Sequence, residues 1–438
     1  MIQPQEAFII ALVILLGCAL LAGEVALRLG QLPLVGQLIV GVVLGPSLLG
    51  PSLGLTGVSP QLGAIQFLAT FLLLFMAGLE VDPADVFHIP LSTLLLGLLV
   101  FSIPFGLTFV VVVAIYPTLG TILAAFIATT LSITALPIMA VMVREFGLVD
   151  RKFGKVVLVA ALVNELAAIT VFAVLLQLNS AGGATSWAPV LTAIGSTALF
   201  LVVVFGAYEV LRRVRRRRAA RGATSNITEY FRSREAGFAL LMVVSLGAAL
   251  FSDVLGLTFV IGAFYAGILV TPSAAGPDAN KGVQSALGVI MWGFFIPLFF
   301  AITGLQTNLR LLWGPVALVA FFALLLVAMV SKIGVGAGFT RLTGWSLPDS
   351  FAMGFMINSR GAVGIAMAVI LYTDGIISTF WFTIIVAVGV VCTMIAPIGA
   401  ITSWKSEPTS RADLEERMRS VLQTAPSATD TPLPAPVR

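Results

Sequence analysis

Thirteen apolar runs, each bounded by Gly, Pro or charge, divide this chain at about residues 7–28, 32–50, 62–80, 89–116, 119–142, 154–178, 188–211, 236–252, 255–273, 284–304, 312–336, 349–372 and 376–402. A chain patterned in this way folds in a lipid bilayer, where only segments that bond their own backbone can cross. The composition agrees: 59% of the residues are hydrophobic, 10% are charged and the mean hydropathy is +1.08. A span takes about 20 residues, so 438 residues hold about thirteen transmembrane helices and leave no room for a second soluble domain. The expected fold is an all-α polytopic membrane protein. The first run follows the leader MIQPQE, which carries no Lys or Arg, and no small-residue cleavage site follows it, so it reads as a true span.

The same composition gives an enzyme little to work with. There is one histidine, His88, and neither an HExxH pattern nor a GxSxG elbow. The two cysteines, Cys18 and Cys392, lie inside apolar runs and read as small core residues, with no disulfide framework, zinc spacing or cofactor motif.

Topology follows from charge. The run RRVRRRRAAR, Arg212 to Arg221, lies between the seventh and eighth apolar runs and is cytoplasmic by the positive-inside rule. It flanks a span and needs anionic headgroups, not nucleic acid, as partners. The N-terminus is then outside and the C-terminus cytoplasmic. This places Arg28, Arg144, Arg151, Lys152, Lys155, Lys281 and Arg341 on the cytoplasmic side and leaves Arg310 outward.

An internal repeat narrows the class. LPLVGQLIVGVVLGPS (Leu32 to Ser47) reads like LTFVIGAFYAGILVTPS (Leu257 to Ser273), and FLLLFMAGLEVD (Phe71 to Asp82) like FIPLFFAITGLQTN (Phe295 to Asn308). An odd number of spans separates the members of each pair, so the halves are inverted across the membrane, as in secondary transporters. The repeats cover about 7–178 and 236–402, with a linker helix over 188–211. The fifth and twelfth runs occupy matching places and each contains a breaker. TTLSITALPIMAV (Thr129 to Val141) has Pro137 behind a cluster of hydroxyls, and MINSRGAVGIA (Met356 to Ala366) has Gly361 and Gly364 beside a charge. Unwound segments there would expose carbonyl and hydroxyl oxygens, the hard ligands an alkali cation requires.

An ionisable side chain at mid-span costs at least about 2.5 to 3.5 kcal/mol. Glu165, directly after Asn164 in the sixth run, and Arg360 in the twelfth stand out on this ground. Glu24, Glu80 and Glu209 sit near cytoplasmic ends and can snorkel, while Asp253 and Asp374 read as outer loop residues. Glu165 has two readings. It is either half of a buried ion pair with Arg360 that fixes packing, or a carboxylate whose raised pKa lets a proton and a metal cation compete for it. Competition for one carboxylate is enough to make an exchanger. Asn164 would supply an oxygen or orient Glu165, Ser132 and Thr134 would complete the shell of a Na+ or K+ ion, with Thr130 supporting it, and Arg360 would hold the unwound segment.

Over residues 8 to 402 the chain resembles the second cation:proton antiporter family, the Na+/H+ and K+/H+ exchangers. The matching stretches are LPLVGQLIVGVVLGPS, FLLLFMAGLEVD, LSITA with its following Pro, Asn164-Glu165, GAFYAGILV, FFIPLFFAITGL and SRGAVGIA. The resemblance implies a core domain with two crossed broken helices, a separate dimerisation domain and hence a homodimer, and elevator-like movement. It implies that Glu165 stands where the family has its ion-binding Asp. Family members with two acidic residues at this place tend to be electrogenic, so Asn164 implies electroneutral exchange. The chain departs from the pattern in having Glu for Asp, and Ala362 where the twelfth-helix motif often carries Glu. After Trp404 only a polar, Pro-rich tail follows, residues 405–438, which is expected to be disordered and is too short for the nucleotide-binding domain many relatives carry. An exporter or symporter of a small organic ion on the same type of fold is the alternative.

Overall fold

The structure, a computed structural model, describes residues 4–50, 58–79, 90–148, 151–180, 187–219, 234–255, 257, 259–270 and 277–404. Glu80, His88, the end of the arginine run at Arg221 and the tail 405–438 lie outside them. The described residues are helical, with no strand among them. The first half holds α1 (Pro4–Arg28), α2 (Pro33–Leu44), α3 (Pro60–Leu79), α4 (Leu91–Ile115), α5 (Thr121–Ser132), α6 (Leu136–Glu145) and α7 (Lys152–Ser180). After α8 (Trp187–Ala219), the second half holds α9 (Arg234–Val254), α10 (Phe259–Ile268), α11 (Pro277–Ile290), α12 (Ile296–Gln306), α13 (Pro315–Leu342), α14 (Leu347–Ile357), α15 (Ala362–Thr373) and α16 (Thr379–Trp404). Among the described residues, eight segments are long and apolar enough to cross a membrane; α2 and α5 are among the shorter apolar helices.

Each of the thirteen runs contains one helix or a broken pair, but the ends differ from the sequence reading for local reasons. The second run stops being helical at Leu44, because Gly45 is extended and Pro46 follows it. The tenth run starts early, at Pro277, and passes through a π-helical turn, Met291–Phe295, before α12. Pro297 follows at once and has no amide to return to the preceding turn, which accounts for the loosened winding. The seventh run continues as α8 through the arginines. At 33 residues α8 is about 50 Å long against about 30 Å of hydrocarbon, so its basic end extends beyond the apolar layer. There Glu209 pairs with Arg213 (2.8 Å) and Arg212 (3.3 Å).

Close packing follows the repeat. Gly36 of α2 lies on the Ala22 carbonyl of α1, and Gly262 of α10 lies on Ala248 and Ala249 of α9. Gly41 of α2 meets the Ala301 carbonyl of α12, and Gly267 of α10 meets the Phe75 carbonyl of α3. A Cβ at any of these four places would overlap backbone, so the helices approach as closely as the glycines allow. One constant offset in residue number relates Gly36 to Gly262, Gly41 to Gly267, and Gly78 to Gly304. The same offset carries the start of α5 to that of α14 and the start of α6 to that of α15. A second group of helices, α4, α7, α13 and α16, packs around the two broken helices, α5–α6 and α14–α15.

Candidate functional site

Both broken helices are present. Between α5 and α6 the chain is extended at Ile133 (φ −70°, ψ 146°), and between α14 and α15 it is irregular through Gly361 (φ −124°, ψ −144°). The breaks cross. The Thr134 hydroxyl donates to the Ile357 carbonyl (3.1 Å), and the Ala135 amide approaches the Ser359 carbonyl (3.4 Å). Gly361 permits this contact, since a Cβ there would overlap Ile138 and Ala135.

A broken helix in an apolar interior leaves carbonyls at one end and amides at the other, and each must be satisfied. Three side chains do this at the first break. Asn164 of α7 accepts from the Thr134 amide (2.7 Å) and donates to the Ser132 carbonyl (3.2 Å), so it holds the extended residues as a paired strand would. Lys332 of α13 donates to the carbonyls of Ser132 (2.8 Å) and Ile133 (2.7 Å), which close α5. Glu165 accepts the Leu136 amide (3.1 Å), which opens α6, while Pro137 has no amide to satisfy. Lys332 thus stands at the C-terminus of α5 and Glu165 at the N-terminus of α6. Asn164, Glu165 and Lys332 are completely buried.

Arg360, expected to hold the unwound segment by pairing with backbone carbonyls or a carboxylate, has a carbonyl as its partner: its Nη2 donates to Ala328 of α13 (2.7 Å), with Cys392 of α16 beside it. No salt bridge joins it to Glu165 among the described residues. Thr393 of α16 also holds the second break, its hydroxyl donating to the Arg360 carbonyl and accepting its amide (3.2 Å).

The structure brings Ser132, Thr134, Asn164 and Glu165 together at the crossing. Thr130 is buried nearby on α5, but its hydroxyl bonds to carbonyls of its own helix, those of Phe126 (3.1 Å) and Ile127 (2.9 Å). The side-chain oxygens of Ser132, Asn358 and Ser359 are buried with no hydrogen-bond partner among the described residues. Unsatisfied buried oxygens call for a ligand or water, and oxygen is the ligand type that a Na+ or K+ ion takes. Asn358, Ser359 and Lys332 also lie at the breaks and were not singled out in the sequence. Lys332 carried a signal, a lysine near mid-span, that meets the same insertion-cost criterion as Glu165. Of the other carboxylates, Glu24 pairs with exposed Arg28 (3.3 Å) at the end of α1, and Asp374 terminates α15.

The sodium/hydrogen exchanger transmembrane family profile matches residues 11–404. Among curated proteins, the chain is 27% identical over 420 residues to K(+)/H(+) antiporter 1 of Saccharomyces cerevisiae, covering 90% of this chain but 46% of the yeast protein, so it spans about half the length of that relative. It is 26% identical over 392 residues to the Na(+)/H(+)-K(+) antiporter GerN of Bacillus cereus, covering 89% of this chain and 94% of GerN. Among solved structures, the sodium proton antiporter MjNhaP1 of Methanocaldococcus jannaschii superimposes with a TM-score of 0.59 over 94% of this chain and 98% of that one, at 13% identity, a likeness of fold.

Proposed function

The chain belongs to the sodium/hydrogen exchanger family, and from that premise we propose that it is a multi-pass secondary antiporter exchanging Na+ or K+ for protons. The observation that carries this reading is the buried carboxylate of Glu165 at the crossing of two helix breaks, beside hydroxyl and carbonyl oxygens of Ser132, Thr134, Asn358 and Ser359. Cation and proton compete for that carboxylate. With the cation bound, the carboxylate is ionised and the oxygens replace part of the hydration shell. With the proton bound, the site needs no counter-ion. In either form the loaded carrier bears the same charge.

Exchange is then one for one and electroneutral provided that Lys332 keeps its proton throughout. Its Nζ lies at the C-terminal end of α5, within hydrogen-bond distance of the Ser132 and Ile133 carbonyls. The group of helices around the breaks moves against the group containing α2, α3, α10 and α12 in an elevator-like alternation. The working unit is a homodimer with its N-terminus outside. The test is uphill movement: in sealed proteoliposomes of the purified protein, an imposed proton gradient must drive Na+ or K+ against its own gradient. Uptake that only dissipates a cation gradient would make the protein a passive pathway and end this reading.

A further inference from the structure

At the end of the molecule that carries Lys152 and Arg341, a cavity of about 220 Å³ opens between the first turns of α4 and α7 and the last turn of α13. Its polar wall includes Ser92 and Thr93 of α4, Lys152 of α7 and Thr343 and Trp345 beyond α13, while Leu96 and Val156 make part of the wall apolar. Among the described residues the charge in this cavity has one sign. The Lys152 ammonium rests 5.5 Å from the centre of the Trp345 ring and has no carboxylate partner among the described residues. Helix α4 opens at Pro90 with no side-chain cap. The amides of Thr93 and Leu94 turn back to the Pro90 carbonyl (2.9 and 3.1 Å), which leaves those of Leu91 and Ser92 at a bare helix N-terminus. The N-terminus of α7, at Lys152 itself, adds a second positive dipole end. An unpaired ammonium, two hydroxyls and an uncapped helix start around one hole form an anion receptor, and their number and spread suit the several oxygens of a phosphate.

We propose that this cavity binds a phosphate group, that of an acidic phospholipid headgroup. The neighbouring chain points to the lipid source: Leu91, between Pro90 and Ser92, is 68% exposed and Leu347, two residues past Trp345, 55% exposed, as apolar residues facing acyl chains would be, and a Trp in the wall is the residue type enriched at membrane interfaces. The inference is independent of which ion is carried. It bears on transport because the bound headgroup ties together α4, α7 and α13, and the last two carry Glu165 and Lys332. A ligand seated there braces the helices that hold the first break.

The test uses the purified full-length protein in detergent, with thermal unfolding followed against added phosphatidylglycerol, phosphatidylcholine or inorganic phosphate, and bound lipid counted by native mass spectrometry. Phosphatidylglycerol is expected to raise the midpoint where phosphatidylcholine does not. Lys152→Gln is expected to require roughly tenfold more of it, as for the loss of one hydrogen bond to a charged group, and Lys152→Arg to restore the response. Thr93→Val provides a second variant if Lys152→Gln does not fold. The Arg213→Gln, Arg216→Gln double variant on α8 controls for unspecific attraction and is expected to respond as wild type. An unchanged phosphatidylglycerol response in both Lys152→Gln and Thr93→Val, or a response lost only in the α8 variant, overturns the proposal. A full shift with inorganic phosphate alone that depends on Lys152 overturns the lipid assignment in favour of free phosphate.

Discussion

Replacing Glu165 with Gln separates the ion-carrying role proposed for it from its hydrogen bond to the start of α6. The glutamine oxygen can still accept the Leu136 amide that the carboxylate accepts at 3.1 Å, so the helix start stays satisfied. A hydrogen bond to a charged group contributes about 1.5 to 3 kcal/mol and a neutral one about 0.5 to 1.5, so the exchange loses about 1 kcal/mol at this contact. Against that, removing an ionisable group from mid-span relieves an insertion cost of at least about 2.5 kcal/mol. The Glu165→Gln protein is therefore expected to fold, insert and unfold at or slightly above the wild-type temperature, yet to exchange nothing. Glu165→Ala leaves the Leu136 amide unsatisfied and is expected to be about 1 to 3 kcal/mol less stable than the Gln variant. Glu165→Asp withdraws the carboxylate by about 1.5 Å, one bond length along the chain, which breaks the cap but keeps a titrating group; exchange is expected to persist with altered cation preference. The assay is cation-induced proton release from proteoliposomes reporting with a pH-sensitive dye, paired with thermal unfolding of the same preparations. Proton release by the Gln variant at the wild-type rate would refute the carboxylate as carrier, whatever its stability.

Three further expectations follow from the same geometry. Lys332→Met leaves the Ile133 carbonyl without its ammonium donor, while Ser132 keeps Asn164, so thermal stability is expected to fall by roughly 1 to 3 kcal/mol and exchange with it; a variant as stable as wild type would show that the α5 end needs no cation. Gly361→Val forces a side chain into Ile138 and Ala135 where the breaks cross, so little folded protein should survive detergent extraction in fluorescence-detected size exclusion; a monodisperse peak at wild-type yield would mean the crossing can open. Clamping the membrane potential should leave the direction of proton flux under a sodium gradient unchanged, since a cycle moving one net charge would gain or lose about 2.3 kcal/mol per 100 mV. Sustained current that follows the imposed potential would identify Lys332 as a second titrating group and end the one-carboxylate cycle.

The two breaks, the Asn164-Glu165 pair and the helical repeat were legible in the sequence because each rests on local chemistry: proline and glycine interrupt a helix, and charge in an apolar run is costly. Partners across the bundle were not legible. Arg360 has carbonyls of several helices within its long reach, and only packing decides that Ala328 receives it. Thr130 has the right neighbours in sequence, but its hydroxyl turns back to its own helix, as a threonine in mid-helix readily does. Lys332 was not singled out in the sequence, where the eleventh apolar run is bounded at 312–336 and the lysine stands four residues from its end. The helix continues to Leu342, so Lys332 lies nearly three turns inside it, too deep to reach water.

The constant offset between the halves has an energetic consequence. Two halves that match residue for residue, with no insertion between them from the start of α5 to the start of α6, can exchange conformations without altering the length of any connection inside the repeat. Exchanging them generates the arrangement rotated by the pseudo-two-fold axis in the membrane plane, so in the proposed alternation the backbone alone gives the two end states nearly equal free energy. Bias must then come from residues that break the match: Glu165 corresponds to Val391, and Lys332 to Gly106. A near-level balance is what lets a weakly held ion tip the population, because a ligand shifts an equilibrium only by its difference in affinity for the two states. In the proposed alternating cycle, substitutions that make the halves more alike far from Glu165 should therefore leave turnover almost untouched.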